Sequence, residues 1–128
     1  MAGAYTGILE ASFQATTAIT KMRFVKHSAE QTVAAITAST DRAVGVAGVD
    51  VSAAEFAAGK ELKVQVLGVA WVEAGAAVTL GARVMPDTSG RAIAAATATN
   101  IPCGVAYSAA ANAGDLMLVL LTPGMPPL

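Results

Sequence analysis

One histidine, one cysteine and one tryptophan in 128 residues exclude most of the chemistry that a small domain can carry. With His27 alone, a zinc site built on a histidine pair is impossible, and a Ser-His-Asp arrangement would hang on one residue in a basic stretch. His27 reads as an ordinary strand or loop residue. Cys103 alone makes no intrachain disulfide, which fits a reducing site of synthesis. Set between Pro102 and Gly104, it has no basic neighbour in sequence to activate the thiol, and it reads as a small buried apolar group. The nine acidic residues are scattered singly, without the Asp-x-Asp spacing of a calcium loop. No glycine run leads into Lys-Ser or Lys-Thr, so there is no phosphate cradle. No catalytic, cofactor-binding or metal-binding residue is assigned, and no enzymatic activity is expected.

Charge is equally scarce. Only 13% of residues are charged and the formal net charge is −1, about half the usual charged share. A nucleic acid or an anionic membrane calls for a basic excess, so neither is the expected partner. Arg23 and Lys26 beside Phe24 put one aromatic among bases, too little for a stacking platform, and read as a solvated strand face. The hydrophobic fraction of 55% is inflated by 30 alanines, with aromatics at only 5%. A chain with few charges and few bulky core residues gains by burying surface against other subunits. The N-terminus lacks the basic region and apolar core of a secretory signal. The longest charge-free run, residues 92–114, is interrupted by Thr97, Thr99, Asn100, Pro102, Ser108 and Asn112 and reads as no membrane span. The length suits one domain.

What is present is β-patterning cornered by glycine. Residues 61–66 alternate strictly, Leu62, Val64 and Val66 against Glu61, Lys63 and Gln65, as a half-buried strand does. At Leu67 and Gly68 the phase of the apolar residues slips, so that Leu67, Val69 and Trp71 share a face, which an inserted residue or a bend at the glycine explains. Residues 21–28 and 32–37 read as two earlier strands, Ser39 to Asp41 as a turn, and residues 43–51 as a strand interrupted near Gly48. Ser52-Ala-Ala-Glu55 is a capping box opening a short helix anchored by Phe56 and closed by Gly59. The segment Asp87-Thr-Ser-Gly90 is a turn joining RVMP to RAIA in a hairpin, with Pro86 suited to a strand end or edge. Alanine-rich residues 92–98 read as strand or loop.

The last third echoes an earlier one. Gly45-Val-Ala, an alanine-rich connection, the corner Gly59 and the strand of Leu62, Val64 and Val66 are matched by Gly104-Val-Ala, the corner Gly114 and the strand of Leu116, Leu118 and Leu120. Residues 116–121, LMLVLL, have no polar face, so both sides must be covered: one can fill a barrel interior and the other face a second subunit. Residues 1–20 are small, hydroxylated and isolated apolar residues without sustained period, and read as an extended arm that orders on a partner, for example by adding a strand to a sheet edge. Residues 122–128 form a proline-rich tail that cannot continue a sheet. The expected organisation is an arm over 1–20, one body over 21–121 and the tail. The expected fold is all-β with at most one short helix, a small β-barrel or β-sandwich.

One pattern carries a further implication. Val72-Glu-Ala-Gly75-Ala-Ala-Val78-Thr-Leu-Gly81-Ala-Arg-Val84, then Asp87-Thr-Ser-Gly90-Arg-Ala, then Cys103-Gly-Val-Ala-Tyr, Ala-Gly114-Asp and a final apolar strand, resembles the small capsid cement or decoration proteins of tailed bacteriophages. The resemblance covers residues 43–121; Pro102-Cys103 departs from it, where a bulkier aliphatic pair is common. It implies a structural virion protein on the outer capsid surface, synthesised in the host cytoplasm. Such a protein clamps neighbouring copies of the major capsid protein, commonly as a homotrimer, without a cofactor. On that implication the arm residues Tyr5, Ile8, Leu9 and Phe13 are expected at the shell. Trp71, Met117, Val119 and Leu121 are expected in the core or the subunit interface. Two other readings stay open, a head-fibre base or tail accessory protein and a small-ligand-binding barrel with its pocket near Trp71.

Overall fold

A computed structural model of the chain describes residues 7–97 and 100–122. The elements are β1 (Gly7–Ala15), β2 (Phe24–Ala29), β3 (Thr32–Ala35), β4 (Ala43–Ala47), α1 (Ala53–Ala57), β5 (Glu61–Glu73), β6 (Arg83–Pro86), β7 (Ala92–Ala94), β8 (Gly104–Ala106) and β9 (Leu116–Leu121). The fold is mostly β with one short helix, as the alternation predicts. Strands pair in the order β1-β3-β2-β4-β5-β9-β8-β6-β7, and β1 also pairs with β5. That extra pairing closes the first five into a barrel, and the other four extend from the far half of β5.

Two cores follow from this arrangement. Ala15, Val25, Val33, Ala47, Leu62 and Val64, contributed by all five barrel strands, fill the barrel interior, with Ile19 and Val51 beside them. A barrel of so few strands leaves no lumen, only room for side chains. Phe24 and Val46, the sequence neighbours of Val25 and Ala47, belong to a second core with Ala70, Val72, Val84, Met117, Val119 and Leu121. Because neighbouring residues on a strand face opposite ways, β2 and β4 are a wall between the two cores. β5 serves both, and its buried positions remain even-numbered throughout. Gly68 sits at the changeover with φ of 98°. The residues of the expected phase slip, Leu67, Val69 and Trp71, do share a face, and it is the solvent side. Met117, Val119 and Leu121 do not line the barrel; they lie in the second core, over its outer wall.

The helix is capped as its sequence requires. Ser52 Oγ accepts from the Glu55 N–H at 3.2 Å and Glu55 Oε1 accepts from the Ser52 N–H at 2.9 Å. The hairpin pairs Val84 with Ala94, Met85 with Ile93 and Pro86 with Ala92, and Pro86 ends its strand. The Gly90 carbonyl at its turn accepts from the Phe24 N–H at 2.8 Å, docking the extension on the barrel. A parallel bridge from Ala74 to Ala92 curls the extension back towards the end of β5. Of residues 92–98, expected as strand or loop, 92–94 form β7 and 95–97 are loop; Ala98 lies outside the described residues.

The body begins earlier than residue 21. β1 runs antiparallel to β5 over seven registered pairs from Gly7↔Gly68 to Gln14↔Glu61. It also joins β3 in parallel at Gln14↔Thr32 and Ala15↔Val33. Ala15 and Ile19 are core residues. The physical reason is that the barrel has a gap between β3 and β5 which only this segment fills. Of the expected arm over 1–20, residues 7–15 form β1, paired within the same chain, and the backbone bends at Thr16 and Thr17. The tail over 123–128 lies outside the described residues.

The internal echo is structural. Ala47 pairs with Val64, and Ala106 pairs with Val119, each in an antiparallel pair of a strand ending in Gly-Val-Ala with the strand that follows it. The corner glycines match in conformation, Gly59 at φ 81° and Gly114 at φ 91°. The glycines of the two Gly-Val-Ala segments match as well, in that the neighbouring strand passes too close for a side chain. A Cβ on Gly45 would strike Gln65 O and sit 2.8 Å from Val64 Cγ1, and one on Gly104 would strike Val119 Cγ1 and sit 2.8 Å from Leu120 O. Gly45→Ala and Gly104→Ala are therefore each expected to cost about 1–3 kcal/mol by overpacking. Gly48→Ala, whose Cβ would lie 3.5 Å from Lys63 O, should cost less than either. Urea unfolding midpoints check all three, and equal midpoints would refute the close-approach account.

Candidate interaction surface

Polar chemistry is sparse among the described residues. No polar or charged residue is buried, and no group of three His, Cys, Asp or Glu is placed to hold a metal ion. Cys103 lies at the entry to β8, and burial pushes its thiol up to about 12. It is a proton-bound, inert group. The depression beside it, lined by Phe24, Gly45, Cys103 and Leu121 among others, has about 10 Å³, at most the room of one water. His27 is exposed, with its ring edge-on to Phe13 at 5.6 Å.

The charges that form ion pairs fasten segments together. Arg23, before β2, and Arg91, after the hairpin turn, both reach Glu73 at the end of β5, at 3.4 and 3.6 Å, and Arg91 also reaches Asp87 at 3.4 Å. Lys60 meets Glu55 at 2.6 Å; that bond and the Ser52 N–H hold the carboxyl down to about 2. Asp41 shapes the turn between β3 and β4. Its Oδ2 accepts from Lys26 Nζ at 2.9 Å and from the N–H groups of Thr37 and Ala38, each at 3.1 Å.

The feature that stands apart is an outward apolar face. Trp71 is registered with Leu118 and Val69 with Leu120, while Leu120 is also registered with Val105 on β8. Registered residues share a face, so these side chains line one side of β5, β9 and β8, with Leu118 buried among them and Trp71 and Leu120 exposed. Leu9 on β1 adjoins it through its pairing with Leu67. Trp71 is 47% exposed, Leu116 49%, Leu9 48% and Leu120 37%. Tyr107 follows β8, its N–H donating to the Leu118 carbonyl at 2.8 Å. On β5 itself the face divides: Glu61, Lys63 and Gln65 precede the bend, Leu67, Val69 and Trp71 straddle or follow it, and the ion-paired Glu73, registered with Leu116, closes it. Exposed apolar side chains gathered on one face are a feature shared with protein contact sites.

The expected residues are thus separated. Met117, Val119 and Leu121 are core, and Trp71 is on the opposite side of the same two strands. Of the expected shell contacts, Leu9 is exposed, Phe13 is half-buried against the barrel core, Ile8 is on β1 and Tyr5 lies outside the described residues. Leu116, Leu120 and Tyr107 were not singled out from sequence. The lack of a polar face in LMLVLL was the available signal for the two leucines.

Residues 3–121 match the family described as phage cement protein. The chain belongs to that family. Membership supports a capsid-associated structural role and makes this chain a virion protein by kind. Among solved structures, it is similar to the N base of head fiber gp8.5 of bacteriophage phi29. The TM-score is 0.69 and the identity 16%, over 94% of this chain and 98% of that one, which establishes a shared fold. No curated protein matches.

Two outcomes are expected of the groups described. Lys26, with the Thr37 and Ala38 N–H groups, holds the Asp41 carboxyl at about 2 against an ordinary 3.8. The folded value is depressed, so the stabilisation is fully present above the ordinary value and disappears as pH falls through the folded one. Asp41→Asn should therefore cost about 1 kcal/mol near neutral pH, allowing for solvent screening, with the difference closing as pH drops from 4 towards 2; denaturant titrations across that window read it. Cys103 should resist a thiol-reactive disulfide reagent at pH 8 in the native protein and react fully once unfolded. Rapid native labelling would show that the β8 entry is open.

Proposed function

We propose that this protein binds the outer surface of a tailed-phage capsid and cements neighbouring copies of the major capsid protein, acting as a homotrimer. It is made in the host cytoplasm and has no enzymatic activity, cofactor or nucleic-acid partner. The observation that carries this reading is the neutral apolar face around Trp71, in a chain whose family is that of phage cement proteins. Trp71, Leu116 and Leu120 are assigned to the contact between subunits. Fully covering such a side chain is worth roughly 1.5–3 kcal/mol, so several half-exposed ones on each partner suffice to drive association. The N-terminal residues, with Tyr5, Ile8 and Leu9, are assigned to the shell. Three copies would present three such contacts at once, and multivalency turns weak single contacts into firm attachment. The net charge of −1 supports the absence of nucleic acid among the partners.

A second reading is favoured by one observation, the likeness in fold to a head-fiber base. In that reading the chain is the capsid-proximal base of a longer projection. The two differ in consequence. A cement stabilises the shell by itself, and a base does not need to.

Light scattering should give a trimer mass for the purified protein, and Trp71→Ala should weaken association by about 2 kcal/mol, roughly thirtyfold, while leaving the melting curve of the dissociated chain unchanged. Trp71 fluorescence should shift to the blue as concentration rises. Added to expanded shells that lack it, the protein should raise their resistance to heat. A monomer at every concentration would sink the trimer, and binding without added shell stability would favour the fibre-base reading.

A further inference from the structure

The barrel closes unevenly, and the closure leaves an edge. β1 is flanked along its length by β5, but on its other side β3 accompanies it only at Gln14 and Ala15. The hydrogen bonds fix which way each residue points. The Ala15 N–H donates to Lys60 O on the β5 side, and the Gln14 N–H donates to Gln31 O on the other. By alternation Phe13 and Ala11 address β5, while Ser12 and Glu10 direct their N–H and C=O groups away from it. β3 begins at Thr32, so no described strand lies beside Ser12 and Glu10 there. An open depression of about 320 Å³ occupies the place, lined by Ser12, Phe13, Gln14, Glu30, Gln31, Thr32 and Glu61.

We infer that this edge of β1, at Glu10 to Ser12, receives an added β-strand from a shell subunit, and that the incoming segment is extended and carries Lys or Arg. An open edge is a template for strand addition, with main-chain hydrogen bonds giving affinity and flanking side chains giving selectivity. The charge of the edge selects the occupant. Glu10, Glu30 and Glu61 are exposed, none has an ion-pair partner among the described residues, and Lys63 is the one cation on the adjoining face. A basic segment would neutralise the excess, and an acidic one would be repelled. The assignment of the segment to the shell rests on the capsid-binding reading. It also gives β1 two roles, Leu9 facing the apolar surface and Ser12 facing the incoming strand.

The test uses the full chain with two probes: a synthetic peptide of alternating lysine and valine, with its glutamate–valine counterpart as control, and expanded shells lacking this protein. Amide exchange at Glu10 and Ser12 should slow at least about tenfold with the basic peptide and with shells, and not with the acidic peptide. Ser12→Pro removes an outward N–H without breaking the β1–β5 ladder, so it should fold, keep its self-association and lose at least about tenfold in binding to shells. If Ser12→Pro does not fold, Glu30→Lys takes its place and should weaken both interactions. Unchanged exchange at Glu10 and Ser12 with the basic peptide would overturn the edge site. Protection by the peptide in a protein that ignores shells would uphold the edge and overturn the capsid-binding reading. Shell binding that survives Ser12→Pro or Glu30→Lys intact would overturn the inference while leaving that reading in place.

Discussion

The structure depends on one strand being long enough for two jobs. β5 has 13 residues, more than twice the common strand length. Its first half closes the barrel with β1 and β4, and its second half founds the extension by pairing with β9. Neither core could be enclosed without it. The bend at Gly68 lets buried even positions serve both cores. The cost is one irregular stretch of backbone, which Gln65 covers by donating its side-chain N–H to the Val69 carbonyl at 2.8 Å.

Much of this was legible because the relevant signals are local. Strict alternation marked the first half of β5, turn formers marked the β6–β7 hairpin, and the capping box placed α1. The echo between Gly45–Ala47 and Gly104–Ala106 was visible in composition and proved to be equivalent pairing. The missed features are those set by partners distant in sequence. The N-terminal segment looks like a free arm because its core contacts are small or isolated, Ala15 on β1 and Ile19 beyond it, and the pairing of β1 with β3 is parallel. Alternation also says that a strand has two faces, not which one is covered. In β9 both faces are apolar, so only the tertiary structure could decide that Met117 and Val119 go in while Leu116 and Leu120 stay out.

Charge scarcity takes on a physical meaning once the pairs are located. Arg23, Arg91, Glu73 and Asp87 tie the start of β2, the hairpin and the end of β5 together, and Lys26–Asp41 and Lys60–Glu55 fasten turns. The remaining charges are unevenly spread: none lies among Leu67, Val69, Trp71, Leu118 and Leu120, and three carboxylates gather near the β1 edge. Contacts on the neutral face should be nearly indifferent to ionic strength, whereas those at the acidic edge weaken as screening increases. One small domain thus carries two surfaces with different physical dependence.

The antiparallel ladder between β1 and β5 also has a mechanical side. A pull directed along β1, away from the barrel, loads its registered pairs together in shear, so no single hydrogen bond must yield first. A pull across the strands would instead open the ladder one bond at a time, like a zip. β5 continues past the ladder into the second core, so tension entering at β1 crosses the ladder to β5 and runs along its backbone to the hydrogen bonds with β9 and to the Glu73 ion pairs. The domain is stiff in one direction and peelable in another, which makes the orientation in which it is mounted as consequential as the affinity with which it is held.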